Sequence, residues 1–231
     1  MADGIRARAF LSDTMVVALL GCTSCVYIRT CDDPMARYER TVPLSASLEP
    51  GSCFSANTGD GSIAIEGTET NECTLTATIV AHAWTEEHAR ELAERVDVRL
   101  EPTGEGLTVV IDRPSVVHNA WFNVSLRGSL PTRTSLTLSA SDGAIDVANI
   151  TGAVEARTSD GSIEARDIDG DTKLRTSDGS ITGTRMKART LDCRTSDGRI
   201  SLSGVTVASI TADSSDGSIT IEDLQADTAE V

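Results

Sequence analysis

Five aspartates stand in Ser-Asp-Gly units in the C-terminal half of the chain: Asp142, Asp160, Asp178, Asp197 and Asp216, with the glycines 18, 18, 19 and 19 residues apart. Carboxylates repeated at a fixed interval suit two kinds of chemistry. Stacked in a row they could hold calcium, a hard cation that takes oxygen ligands. Grouped in pairs they could act as acid and base on a polysaccharide. A mechanical role competes with both, because Gly accepts the left-handed backbone of a tight bend and Asp or Ser can bond back to the turn's own amides. A catalytic site departs locally from a repeat, whereas these residues recur in every copy, as corner residues do. Calcium as a cofactor would imply a β-roll, yet the glycine-rich nonapeptide of such rolls is absent. Sugar-cleaving chemistry also lacks aromatic platforms in the copies, since Trp84 and Trp121 stand outside them.

A row of like charges needs relief. At a spacing of about 5 Å two carboxylates repel by about 0.8 kcal/mol even with the full screening of water. Three residues before Asp160, Asp178 and Asp197 stand Arg157, Arg175 and Arg194, which predicts a mixed, self-neutralising ladder. Ser139 and Asp213 take the equivalent places in the outer copies, leaving the C-terminal end more acidic. The three arginines form the one basic row on an acidic chain and are the candidate face for a partner.

The remaining reactive side chains carry little chemistry. His82, His88 and His118 fit neither H-E-x-x-H nor H-x-x-E-H spacing, and no nucleophile elbow or phosphate-binding loop occurs. Of six cysteines, Cys22, Cys25, Cys31 and Cys53 crowd the first quarter, a distribution unlike a disulfide framework, although Cys25 and Cys31 could pair in an exported protein. Cys193 falls in an inward column and reads as a small core residue.

These side chains must be held by elements with the same period. Ile145, Ile163, Ile181, Ile200 and Ile219 form one apolar column, and Val147, Ala165, Gly183, Leu202 and Ile221 the next, two residues on. Alternation by two marks strands with one buried face. Val154, Thr172, Leu191 and Ile210, then Ala156, Leu174, Cys193, Ala212 and Val231, repeat the pattern in a second strand, and Ile150, Ile168, Met186, Val205 and Leu224 line the far bend. Each period is two short strands and two bends, and copies stacked in one chain direction make parallel ladders about 4.8 Å apart. Gly183, inward between Ala165 and Leu202, predicts a bulge or a thin place in the wall. The repeat also appears early: "FSANTGDGSIAIEG" aligns Phe54 with Leu136, Ala56 with Leu138, Gly61 with Gly143 and Ile63 with Ile145. "TEEHARELAERV", residues 85–96, predicts one helix capped by Thr85, with Ala89, Leu92, Ala93 and Val96 as its apolar stripe and the sheet as its packing surface.

Composition agrees. The 231 residues carry a net charge of −15 and only 3% aromatics, so the core is aliphatic and β-branched. The acidity repels phosphate backbones and anionic headgroups, which excludes nucleic acid as an expected partner. At the N-terminus Arg6 and Arg8 precede an apolar run, interrupted by Asp13 and ending Leu19-Leu20-Gly21-Cys22, which resembles a bacterial lipobox and would make Cys22 the lipid-attachment residue. An ordinary export signal and an apolar segment without targeting role are the alternatives.

The "TSDGSI" units, the early "GDGSIAIEG" copy and "EEHARELAERV" followed by "VDVRLEPTGEGLTVVI" together resemble the bacterial candidate-adhesin domain of unknown function over about residues 41–231. That resemblance implies a parallel β-helix on envelope and lipoprotein sequences and supplies no catalytic motif. The expected organisation is a targeting segment at 1–21, a linker at 22–40 and one all-β solenoid domain at 41–231, irregular to 130 and regular from 131. The expected function is non-enzymatic: an exported, lipid-anchored envelope protein offering polar faces to a protein or glycan. The last copy reaches Val231 without a polar cap, so the chain is expected to be a fragment or to be covered there by another molecule, end-to-end self-association being one way.

Overall fold

A computed structural model describes residues 35–114 and 119–231. The expected targeting segment with Cys22, the Cys25 and Cys31 pair, and His118 lie outside the described residues. Within them the first strand, β1 (Ala36–Ser47), already begins inside the stretch expected to be a linker.

The regular part is the solenoid that the columns predict. Strands β8 (Ser135–Ser139), β9 (Ile145–Thr151), β10 (Val154–Arg157), β11 (Ile163–Asp169) and β12 (Thr172–Arg175) are followed by three long strands that bend through both walls, β13 (Ile181–Thr195), β14 (Ile200–Ser214) and β15 (Ile219–Glu230). Register is parallel and in step throughout: Ile145 opposes Ile163, Ile163 opposes Ile181, and Ile181 opposes Ile200. The inward columns are buried from Ile145 to Ile200, from Val147 to Leu202 and from Ala156 to Ala212, each large aliphatic side chain contributing roughly 1.5–3 kcal/mol of transfer free energy. Burial thins at β15, where Ile219, Ile221 and Leu224 are only half-buried.

Earlier residues build the other end out of sequence order. Strands β2 (Cys53–Asn57) and β3 (Ile63–Thr68) form a coil that pairs directly with β8 and β9, with Phe54 on Leu136 and Ile63 on Ile145. The chain then leaves through β4 (Glu72–Ala83), α1 (Glu86–Arg95) and β5 (Asp97–Pro102), and returns as β6 (Gly106–Asp112) and β7 (Trp121–Pro131) on the far side of β2 and β3. The early coil is thus slotted between two later ones. Beyond β7 the wall continues with β4 and β1, both antiparallel, and beyond β6 with antiparallel β5.

Thr85 caps α1 by accepting from the His88 amide at 3.2 Å, and Glu86 and Glu87 lie at its positive end. Its buried side chains Ala89, Leu92 and Ala93 pack on β1 and β4, and Arg40 of β1 donates to the carbonyls of Ala93 and Val96 at 3.0 and 3.1 Å. The last four carbonyls of a helix lack intrahelical partners, and a guanidinium from the neighbouring strand satisfies two groups at that end.

Candidate functional site

The Thr-Ser-Asp-Gly corners place the five aspartates in a row, and all five are exposed. Their glycines correct the expected reason for glycine. Gly143, Gly161, Gly179, Gly198 and Gly217 are absent from the residues with positive φ, so no left-handed backbone demands them. Close stacking does: a Cβ on Gly161 would sit 2.1 Å from the Gly143 carbonyl oxygen, and one on Gly179 would sit 1.9 Å from that of Gly161. The same corners are tied by backbone, the amides of Ser159 and Asp160 both donating to the Ser141 carbonyl at 2.8 and 3.0 Å.

The residue before Ser-Asp-Gly, a threonine in the three middle corners, bonds back to the turn in place of the expected Asp or Ser; Ala140 holds that place in the first corner and Ser214 in the last. Thr176 is buried; its Oγ1 shares its one hydrogen between the carbonyls of Ser159 (3.0 Å) and Gly161 (2.9 Å) one coil below and accepts from the Gly179 amide at 3.2 Å. Thr158 and Thr195 make the same downward contacts, and Ser214 repeats the bond with a shorter side chain. Strand alternation carries the signal for this role, because Thr158 continues the inward positions Val154 and Ala156. No contact in the structure explains aspartate at its own position.

Arg157, Arg175 and Arg194 do stand in register, one above the next. Their pairing differs from the expected ladder. Arg157 bonds Glu155, while Arg175 and Arg194 converge on Asp192 at 3.0 and 2.8 Å, and none reaches a turn aspartate. The reason is directional: Glu155 and Asp192 point outward from the same wall two residues from an arginine or across one ladder step, whereas Asp160, Asp178 and Asp197 lie around the corner. Partial burial works to raise the Asp192 pKa, and the bonds from Arg194 and Arg175 outweigh it, holding the carboxyl below its ordinary value. Lys173 adds a 3.7 Å contact to Glu155, so the basic row lies within a mixed patch. Nε of Arg175 is buried without a partner.

A second charged ladder escaped the sequence analysis although its spacing was visible. Asp167, Asp169 and Asp171 precede Arg185, Lys187 and Arg189 by 18 residues each, one coil, and form ion pairs of 2.6, 3.4 and 2.7 Å. Asp171 also accepts from the Thr190 amide at 2.9 Å, the leading cause of its lowered pKa. Asp167 and Arg185 occupy the far corner with φ of 54° and 51°, as do Asn149, Asp223 and Gly204 in their coils.

Gly183 produces neither a bulge nor a thin wall. It keeps register with Ala165 and Leu202, and the Met186 sulfur and a Leu202 methyl fill its place, 2.5 and 2.7 Å from where a Cβ would lie. Cys193 is fully buried in its inward column, and burial pushes its thiol up to about 12. Among the described residues no group of three or more His, Cys, Asp or Glu side chains is placed to hold a metal ion.

Residues 133–231 match the Toastrack DUF4097 family model. The Toastrack match begins just before β8 and covers the regular coils, a shorter span than the 41–231 over which the motifs were recognised. Solved structures similar to this chain include a candidate cell adhesion protein from Clostridium sporogenes ATCC 15579, with 12% identity, a TM-score of 0.46, and 79% of this chain and 99% of that one covered. Another is a candidate adhesin from Parabacteroides distasonis ATCC 8503, at 10% identity and TM-score 0.46, covering 83% and 97%. A candidate lipid binding protein from the same organism is 13% identical with a TM-score of 0.35, covering 85% and 97%. No curated protein matches the chain. Within the coils that the family model matches, the structural work of the repeat is done by threonine, glycine and the inward aliphatics.

Proposed function

We propose that the protein is a non-enzymatic, exported envelope solenoid, lipid-anchored through Cys22, whose rigid outward faces engage a protein or glycan partner. The observation that carries this is the separation of roles within each coil. Stacking rests on buried side chains and backbone, with outward ion pairs such as Arg185–Asp167 tying one coil to the next, so the outward rows present a fixed, repeating array. The row Arg157, Arg175, Arg194 is the proposed contact, since it sets three guanidiniums at ladder spacing on an acidic protein. The names of the similar structures, a candidate cell adhesion protein and a candidate adhesin, support an adhesive role.

Capture of envelope components by the wild-type protein and by an Arg157→Glu, Arg175→Glu, Arg194→Glu variant tests the face. Loss of capture in a folded variant is expected, and unchanged capture overturns it. Cys22→Ser should release the protein from the membrane fraction into the soluble fraction. Thermal melts with and without calcium test the β-roll alternative, which requires a calcium-dependent rise.

A further inference from the structure

Trp84 and Trp121 are the most exposed aromatic side chains among the described residues, at 44% and 51%. Trp121 is also held in place. Its ring lies 4.0 Å from that of His82, only 11° from parallel, and the two residues oppose each other across β4 and β7. The stack occupies one face of the indole and leaves the other toward solvent. On the same outward side, away from this platform, Thr76 opposes Arg127 and Thr74 opposes Ser129. These four residues line one side of a shallow concavity of about 450 Å³ whose other side is formed by Glu66 of β3, Asp146 of β9 and Arg166 of β11. At about 3.4 Å per residue in an antiparallel pair, the strip from Trp121 to Ser129 is about 27 Å long. Arg127 makes no ion pair among the described residues, so its donors are uncommitted.

We propose that this strip binds a neutral, β-linked oligosaccharide, with one pyranose ring stacked on Trp121 and later rings hydrogen-bonded along Thr76, Arg127, Thr74 and Ser129. The chemistry selects the ligand. An indole face receives the apolar C–H face of a pyranose, while hydroxyls and a free guanidinium suit the sugar's outward hydroxyls. An added peptide strand is disfavoured, because β4 and β7 are each paired on both sides and offer no open backbone edge. A net charge of −15 disfavours polyanions, nucleic acid included. A flat platform with a straight polar strip fits an extended, ribbon-like chain.

This inference rests on the reading that the outward faces engage a partner and chooses glycan for this wall. Calorimetric titration of the full chain with chitopentaose and with cellopentaose tests it. Saturable binding of at least one is expected, weakened roughly tenfold or more by Trp121→Ala, a loss of about 1.4 kcal/mol, and several-fold by Arg127→Ala. Circular dichroism checks that each variant is folded, and the Arg127 variant keeps the test decisive if Trp121→Ala is not. Absence of binding by both saccharides at millimolar concentration overturns the proposal, as does binding unchanged in both variants. The Arg157, Arg175, Arg194 reversal should leave saccharide binding intact. A loss of envelope capture without any saccharide binding would therefore sink this inference alone, and saccharide binding with capture unchanged by the reversal would sink only the arginine face.

Discussion

Arg185 donates two hydrogen bonds of 2.6 Å to the two carboxylate oxygens of Asp167, one coil apart, from backbone positions that are both left-handed. The pair turns an awkward corner into a joint. Neither residue is glycine, and an L side chain in that region costs roughly 1–2 kcal/mol. A bidentate bridge fixes the two corners against each other and belongs to a ladder that continues through Lys187–Asp169 and Arg189–Asp171.

The ladder makes acid stability a direct readout. Hydrogen bonding from Arg185 lowers the Asp167 pKa, the Thr190 amide and then Arg189 lower that of Asp171, and the two arginines on Asp192 outweigh its burial. A carboxyl whose folded pKa lies below its unfolded value of about 3.9 stabilises the fold above that value and loses the contribution as pH falls through the folded pKa. The melting temperature should stay level from pH 7 to about 5 and fall below about pH 4. An Asp167→Asn, Asp171→Asn, Asp192→Asn variant should melt lower at pH 7 and show a smaller acid-induced fall. Equal acid sensitivity in the two proteins, measured by thermal denaturation across pH, would remove these three groups from the account.

Two glycines with different reasons for being glycine should respond differently to alanine. Gly179 has no positive φ, but a Cβ would lie 1.9 Å from the Gly161 carbonyl oxygen, and neither backbone can retreat without opening the coil. Gly179→Ala should cost about 3 kcal/mol or more. Gly204 has φ 64° and open surroundings, the nearest atoms to a Cβ being 3.7 Å away, so Gly204→Ala should cost only the roughly 1–2 kcal/mol of the left-handed backbone. Urea unfolding of the two variants checks the order, and a Gly204 effect equal to or larger than that of Gly179 contradicts it.

What could be seen in the sequence was whatever stacking repeats at one interval. Ile145, Ile163, Ile181 and Ile200 must share a column because each lies one coil above the last, and Thr85 with Glu86 and Glu87 marks a helix start by local chemistry alone. The slotting of β3 between β7 and β9, and of β2 between β6 and β8, could not be read that way, since it depends on where a long excursion returns. Glycine's role at the corners was misassigned because a close approach to the coil below leaves no local trace distinguishable from a need for positive φ. Arg157 was matched to Asp160 by sequence distance, whereas the wall's outward direction gives it to Glu155. The Trp121–His82 stack was invisible for a similar reason: 39 residues separate two side chains that the antiparallel β4–β7 pairing places face to face.

Thr176 should be worth more than its size suggests. Its hydroxyl serves three backbone groups, two carbonyls below and the Gly179 amide in its own turn, in a site closed to water. Thr176→Val keeps the shape and removes all three, which should cost about 1–3 kcal/mol. Thr176→Ser keeps the hydroxyl and should lose less, as the Ser214 corner already manages with serine. Equilibrium unfolding decides the matter; a valine variant as stable as wild type would mean that the corners are held by backbone bonds alone.

Thiol labelling tests the core at two depths. Burial pushes the Cys73 thiol up to about 11 and that of Cys193 up to about 12, while Cys53 is exposed on β2. The thiolate is the reactive form, so at pH 8 both buried thiols are protonated as well as shielded. Brief alkylation of the native protein followed by peptide mass mapping should mark Cys53 and spare Cys73 and Cys193, with both becoming reactive in denaturant. Cys193 lies between Leu174 and Ala212 in the middle of the regular coils, so its protection follows the opening of the solenoid itself, while Cys73 follows the β1–β4 wall. Under slow labelling in low denaturant Cys73 should therefore react before Cys193, because a wall finished by antiparallel strands can open without unstacking the coils. Simultaneous exposure of the two would show instead that the end and the coils unfold as one unit.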